Sequence, residues 1–315
     1  MCTAIALKSK NFYFGRTLDY TSSFGEKVCI TPRNYSFNLR SMGIMERHYA
    51  IIGMSHISDS YPLYYDAANE KGLCIAGLNF VGNAFYRDLA PYKDNIAQFE
   101  LIPWILGKCG TVDEAVKLLG RINITNIPYN NSLPLAELHW LIADKSKSVT
   151  VESVRSGLKI YPNPTGVLTN NPTFPEQLFS LNNYMHLSPK QPENKFCKKI
   201  PLYNYSNGMG AIGMPGDFSS QSRFIRACFV KSNSVDDDTE RGCVNQFFHI
   251  LDTVKQPMGC TITENGAEYT LYSSCINADS GIYYYTTYHY RQITAVDMKK
   301  EDLDGNSLIT YPLDS

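Results

Sequence analysis

The chain opens MCTAI, which puts a thiol directly behind the initiator methionine. A methionine followed by a small side chain such as cysteine is generally removed. Removal would leave a thiol and a free α-amine on one residue. Such an amine has a reference pKa near 7.7–8.0, so roughly a tenth of it is neutral at pH 7 and able to accept a proton. A cysteine thiol is about a few per cent thiolate at the same pH. The two groups would form a nucleophile and its own general base, with no histidine required. A retained Met1 would cancel this chemistry, because an acylated nitrogen is not a base.

Other chemistries find less support. The nine cysteines (Cys2, Cys29, Cys74, Cys109, Cys197, Cys228, Cys243, Cys260 and Cys275) are odd in number and contain no C-x-x-C pair. That spacing suits neither a disulfide framework nor a zinc site. Several lie in apolar runs such as LCIAGLNF and FIRACFV, where a thiol reads as a small core residue. The six histidines show no i, i+4 pairing with a carboxylate, so no metal is expected. GMGAIGMPGD lacks the Lys-Ser/Thr end of a phosphate loop and reads as an ordinary loop, and no G-x-S-x-G elbow is present. No cofactor is expected.

Composition narrows the class further. The 315 residues are 43% hydrophobic and 19% charged, with a formal net charge of −1. Lys and Arg are dispersed, which gives no footprint for nucleic acid. No window approaches the ~18 apolar residues of a membrane span, and the N-terminus lacks the pattern of a signal peptide. Unpaired thiols in this number point to the cytoplasm.

The elements that would carry the cysteine follow from periodicity. ALKSKNFYFGRTLDY, HYAIIGM and LCIAGLNF read as strands. AQFELIPWILGKC and TVDEAVKLLGRI read as helices, the second with Thr111 and Glu114 spaced as a capping box. LHWLIAD, SVTVESV and GLKIYP are short β-type runs separated by turn residues. FPEQLFSLNNYMHL, DFSSQSRFIRACFV and CVNQFFHILDTVKQ read as helices, and AEYTLYSSC, GIYYYTTYHY and RQITAVDM return to strands. Strands, then helices, then strands predict a layered α+β fold rather than a doubly wound sheet. No linker divides residues 1–315, so one domain is expected, with the terminal strands sharing a sheet.

Five stretches occur in order: MCTAIAL, FGRTLDY, EKGLCIAGLNF, GVLTNNPTF and MPGDFSSQSRFIRA. Together they resemble the choloylglycine hydrolase family, which includes bile salt hydrolases and penicillin V acylases. The resemblance runs over almost the whole chain. It implies the N-terminal-nucleophile hydrolase fold, a four-layer αββα sandwich with two antiparallel sheets. It also implies a domain matured by loss of Met1, active without a cofactor, and commonly assembled as a homotetramer.

The resemblance assigns roles position by position. Cys2 matches the nucleophile, with its amine as base. Asp19 matches the carboxylate that orients that amine, and Arg16 matches the arginine beside the thiol, whose charge would favour a thiolate. Without the family, Asp19 reads as a strand-end aspartate and Arg16 as a surface partner for it. Asn170 matches the side-chain donor to the oxyanion, although Asn171 stands next to it before Pro172. Asn79 matches a second donor acting through its backbone N–H. Arg223 matches a further active-site arginine, with Arg226 three residues on as its competitor. Thr17 departs from the Asn of many relatives.

For substrates, the resemblance points to glycine- and taurine-conjugated bile salts, since Asn79 stands where penicillin acylases of the family tend to carry Tyr. Positions matching steroid-contacting loops are Leu18, Phe24, Ser58, Tyr65, Tyr129 and Leu133. Ser58 and Tyr65 depart from the Phe and Ala of some members. Penicillin V, other N-acyl amides and a retired, non-catalytic lipid pocket stay open as alternatives. An amine intercepting the acyl-cysteine would pass the acyl group to another amino acid.

Overall fold

The structure is a computed structural model that describes residues 1–313. The first predicted strand is a hairpin. Cys2–Lys8 and Phe12–Tyr20 pair antiparallel about a turn in which the Ser9 N–H donates to the Asn11 carbonyl. This hairpin lies inside a seven-stranded antiparallel sheet. Val167–Leu168 flanks the first strand, Gly266–Asn277 flanks the second, Ile282–Thr287 and Thr294–Asp297 follow, and the short Thr261–Thr263 pairs with the start of Gly266–Asn277. The N-terminal hairpin and the strands within residues 266–297 thus share one sheet, as expected, but the last strand, Ile309–Pro312, was not expected and joins a different sheet.

A second, eight-stranded antiparallel sheet packs against the first. Its order is Gly157–Pro162, Ser148–Val154, Leu138–Ala143, Cys74–Asn79, Tyr61–Asn69, Ile51–Ser58, Lys27–Thr31 and Ile309–Pro312. Both faces of its central strand are buried: Ala76 and Leu78 join the core between the sheets, while Ile75 joins the core beyond. That double burial is why LCIAGLNF is almost continuously apolar. Helices α1 (Leu101–Lys108) and α2 (Val112–Leu119) cover the outer face of this sheet, with Leu101, Ile105, Val112 and Ala115 in the outer core. Helices α4 (Ser220–Asn233) and α5 (Glu240–Asp252) cover the other sheet through Phe224, Ala227, Val244 and Phe247. The short α3 (Phe174–Ser180) packs beside α4. Helices, sheet, sheet, helices is the layering the family resemblance implies.

Differences from expectation are local. Tyr61–Asn69 was not expected as a strand, because Pro62 and Asp66 interrupt its apolar pattern. FPEQLFSLNNYMHL is helical only over α3 and a following 3₁₀ turn, Leu181–Tyr184. The Thr111 hydroxyl caps α2 by accepting from Glu114 N–H at 3.3 Å, but Glu114 Oε2 reaches back to Gly110 N–H at 2.7 Å, not to Thr111. Among the described residues all nine cysteines are free, and seven are buried.

One close approach fixes how the central strands meet. A Cβ on Gly15 would lie 2.0 Å from the carbonyl oxygen of Ser274, so only glycine lets Phe12–Tyr20 sit against Gly266–Asn277 at this point. Gly15→Ala must push the strands apart beside Arg16. We expect a loss of about 3 kcal/mol, at the upper end of overpacking costs, read as a lower urea midpoint. An unchanged midpoint would contradict this packing.

Candidate active site

Cys2 begins the first strand opposite Leu18 and is only 2% exposed. Its backbone nitrogen donates to Asn170 Oδ1 at 2.9 Å. The same oxygen accepts from Arg223 Nη2 at 2.7 Å. Two donors on one oxygen fix the amide, so Nδ2 turns outward and donates to the Asn79 carbonyl at 2.8 Å. One Nδ2 hydrogen is left over. Asn170 is itself held from behind: Ser220 Oγ accepts from its N–H at 2.8 Å, and Gln177 Nε2 donates to its carbonyl.

Arg223 joins α4 to the first strand. Its guanidinium donates to the carbonyl of Cys2, to Thr3 Oγ1 at 2.7 Å and to the Phe218 carbonyl at 3.0 Å. Arg226 instead binds the carbonyls of Thr253, Pro215 and Asp217, and Asn171 reaches Val81. Of each neighbouring pair, Arg223 and Asn170 are the residues that meet Cys2. Burial pulls the Arg223 guanidinium below its ordinary value, against the opposing charges of Asp19 and Cys2.

Strand alternation sends Arg16 and Leu18 to one face of the second strand and Thr17 and Asp19 to the other. Arg16 is therefore no surface partner of Asp19. It is 1% exposed and crosses to the second sheet, where Nη1 donates to the carbonyls of Tyr65 and Gly77. Burial pulls its guanidinium down, but Cys2, Tyr272, Asp66 and Asp19 outweigh this and hold it above its ordinary value.

Asp19 is fully buried, and its carboxylate does not bind the Cys2 nitrogen directly. Oδ1 accepts from Thr270 Oγ1 at 2.6 Å, while Oδ2 accepts from Gln256 Nε2 and Thr17 Oγ1, both at 3.4 Å. Its backbone pairs with Met1, accepting from the Met1 amine at 2.6 Å and donating to the Met1 carbonyl at 2.9 Å. Met1 also reaches Glu268 Oε2 at 3.2 Å. Burial pushes the Asp19 carboxyl up, opposed by Arg223, the N-terminus, Thr270 and Arg16.

Two bulges aim these groups. One register shift, between Thr270 and Tyr272, faces Leu18 and Asp19. The other leaves Tyr65 without a ladder partner opposite Met54 and Ser55, which frees its carbonyl for Arg16. Sequence reading missed these bulges and missed Thr270, Gln256, Gln177 and Asp66. Only Asp66 left a signal, a carboxylate flanked on both sides by apolar and aromatic residues.

The expected substrate contacts divide into two groups. Leu18 and Tyr65 lie beside Cys2 and Arg16. Phe24, 44% exposed, packs on Tyr20 at 5.4 Å and faces His56 at 6.3 Å. Ser58 and Tyr129 are tied together, the tyrosine hydroxyl donating to the Ser58 carbonyl at 2.7 Å, and Leu133 packs on the same outer core. That group sits at the tip of the hairpin whose inner part carries Tyr65.

A family model described as linear amide C–N hydrolases, choloylglycine hydrolase family, matches residues 2–311. The chain belongs to the choloylglycine hydrolase family. Among relatives, a bile salt hydrolase/transferase of Lactiplantibacillus plantarum is 54% identical, covering 100% of this chain and 98% of its own length. A bile salt hydrolase/transferase of Clostridium perfringens is 39% identical, over 99% and 96%. A solved mutant conjugated bile acid hydrolase from Clostridium perfringens superimposes with a TM-score of 0.92 at 37% identity, over 100% and 97% of the two chains. Penicillin V acylase from Agrobacterium tumefaciens shares the fold, with a TM-score of 0.75 at 21% identity over 98% and 90%. This choloylglycine hydrolase-family chain is thus an N-terminal-nucleophile-type α+β hydrolase.

The two asparagines should behave differently. Asn170→Ala leaves the Cys2 N–H and Arg223 without their shared acceptor, which should cost about 2–3 kcal/mol in urea unfolding. Asn171→Ala, on the exposed side, should cost about 0.5 kcal/mol. Equal losses would contradict the geometry.

Proposed function

We propose that this chain hydrolyses glycine- and taurine-conjugated bile salts through an acyl-enzyme on Cys2. The observation that carries the proposal is the grip of Asn170 on the Cys2 nitrogen, shared with Arg223. The atom that becomes the amine when Met1 leaves already has a fixed direction. Removal of Met1 also frees the Asp19 N–H and carbonyl at the rim.

The chemistry then follows. The neutral amine takes the thiol proton, and the sulfur attacks the amide carbonyl. The oxyanion that develops takes the remaining Nδ2 hydrogen of Asn170 and the backbone N–H of Asn79. Collapse breaks the C–N bond as the amine returns the proton to the departing glycine or taurine. The same amine activates the water that opens the thioester. Arg16 supplies positive charge beside the thiol, and the Asp19 carboxylate offsets the charge of the protonated amine. An amino acid arriving instead of water would take the acyl group, which labelled cholate appearing on added amino acids would reveal.

The bile salt substrate is supported by the names of the 54% and 39% identical relatives. An apolar rim of Leu18, Phe24, Tyr65, Tyr129 and Leu133 suits a steroid, with Ser58 at the hairpin tip. We read the chain as one catalytic domain, cytoplasmic given its free thiols, and homo-oligomeric, a tetramer on the family resemblance. No helix among the described residues is long and apolar enough to cross a membrane.

Purified protein with Met1 removed should release glycine and taurine from glycocholate and taurocholate. Turnover should exceed that of penicillin V. Cys2→Ala should lose at least about 10³-fold, and protein made with methionine removal inhibited should be equally silent. Release by Cys2→Ala at the parent rate would refute the nucleophile, and faster penicillin V turnover would reverse the substrate.

A further inference from the structure

Asp66 is a fully buried carboxylate to which no role has yet been given. It projects from the second sheet into the first, where three hydroxyls donate to it: Tyr272 to Oδ1 at 2.6 Å, and Tyr283 and Ser274 to Oδ2 at 2.8 and 2.9 Å. Arg16 makes the reverse crossing. It leaves the first sheet and ends on the carbonyls of Tyr65, which precedes Asp66, and Gly77, which follows Ala76, the register partner of Asp66. Ser274 Oγ links the two, accepting from the Arg16 backbone N–H at 3.1 Å while donating to Asp66. The two sheets are therefore clasped reciprocally, cation one way and anion the other, with Cys2 among the charges that act on Arg16.

We propose that Asp66 is a positioning residue for Cys2, holding Arg16 between the sheets and offsetting part of the positive charge that the thiol feels. All three hydrogen-bond partners of the carboxylate are hydroxyl donors, and the nearby charge is a cation. That environment accepts a carboxylate, which has acceptors only, better than a carboxylic acid. Burial pushes the carboxyl up from its ordinary value, and Arg16 with the three hydroxyls opposes this. The charged and titratable groups around the pair come from every layer. Arg16 and Asp19 lie on the second strand, Arg223 on α4, and Glu268, Tyr272 and Tyr283 on the neighbouring strands. Cys74 lies on the strand beyond. Asp66 is the counter-charge that faces Arg16 from the second sheet.

The sign of the effect follows. A nearby negative charge disfavours the thiolate, so removing it should let Cys2 react at lower pH. The inference rests on the nucleophile reading above but needs no bile salt. The test is alkylation of the Met1-free protein by iodoacetamide, with modification of the Cys2 peptide followed by mass spectrometry, since the exposed Cys260 would be alkylated as well. In Asp66→Asn, the rate at pH 6 relative to pH 9 should rise about three-fold or more over the parent. Tyr283→Phe should move the ratio the same way by less, and it replaces Asp66→Asn if that variant does not fold. Asn69→Ala removes a buried structural side chain bonded to the carbonyls of Leu106 and Cys109, and should lower stability without moving the ratio.

An unchanged ratio in Asp66→Asn would mean that the carboxyl was already protonated and would overturn the proposal. So would an equal shift in Asn69→Ala. Should the parent cleave no conjugated bile salt while Asp66→Asn still shifts the ratio, the substrate reading fails and this one stands.

Discussion

Asn170 Oδ1 is the point on which the site turns. It accepts from the nitrogen of Cys2 and from Arg223, and so ties together residues 2, 170 and 223, which the chain delivers from a strand, a loop and a helix. An amide oxygen with two lone pairs can serve both donors at once, and its geometry then dictates where Nδ2 points. A shorter or purely apolar residue would leave a buried guanidinium and a buried N–H unpaired, each at considerable cost. The stability of the fold and the orientation of Cys2 thus depend on one side chain.

The rest of the architecture places charges where water is excluded. Two cations, Arg16 and Arg223, and two carboxylates, Asp19 and Asp66, are buried within the central layers. Each is compensated by at least two hydrogen bonds, and the opposite charges lie close enough to perturb one another. Strand alternation separates the work. Arg16 and Asp66 face the space between the sheets with the thiol, while Asp19 lies on the opposite face of its strand and Arg223 reaches the backbone of Cys2 from α4. Bulges at Tyr65 and beside Thr270 break the ladder at the points where a side chain or carbonyl must leave it.

Much of this was legible in the sequence, and the reasons are physical. Buried strands announce themselves by apolar runs and helices by their period, so the strand–helix–strand order could be read directly, as could the sheet shared by the first strands and those of residues 266–297. The last strand, Ile309–Pro312, joins the other sheet and left no such signal. Cys2 stood out in the sequence because a residue exposed by loss of Met1 would present a thiol and an amine together. The choice of Arg223 over Arg226 and Asn170 over Asn171 came from the family context; in the structure Arg223 and Asn170 are the members of each pair that hydrogen-bond to Cys2. What sequence could not show was contact between distant positions. Thr270 and Gln256 reach Asp19 across 251 and 237 residues and look like ordinary polar loop or strand residues. The hold of Asn170 rather than Asp19 on the Cys2 nitrogen was also hidden, since it depends on how far Met1 extends the ladder.

The central claim is that Cys2, freed of Met1, carries the acyl group. Its most direct test is the intact mass of the protein mixed with glycocholate and quenched in acid within the first turnovers. The account predicts one cholyl adduct, located on the N-terminal peptide and removed by hydroxylamine, and none in protein that retains Met1. Rapid release of glycine with no adduct on Cys2 at any quench time, or an adduct on another residue, would contradict it.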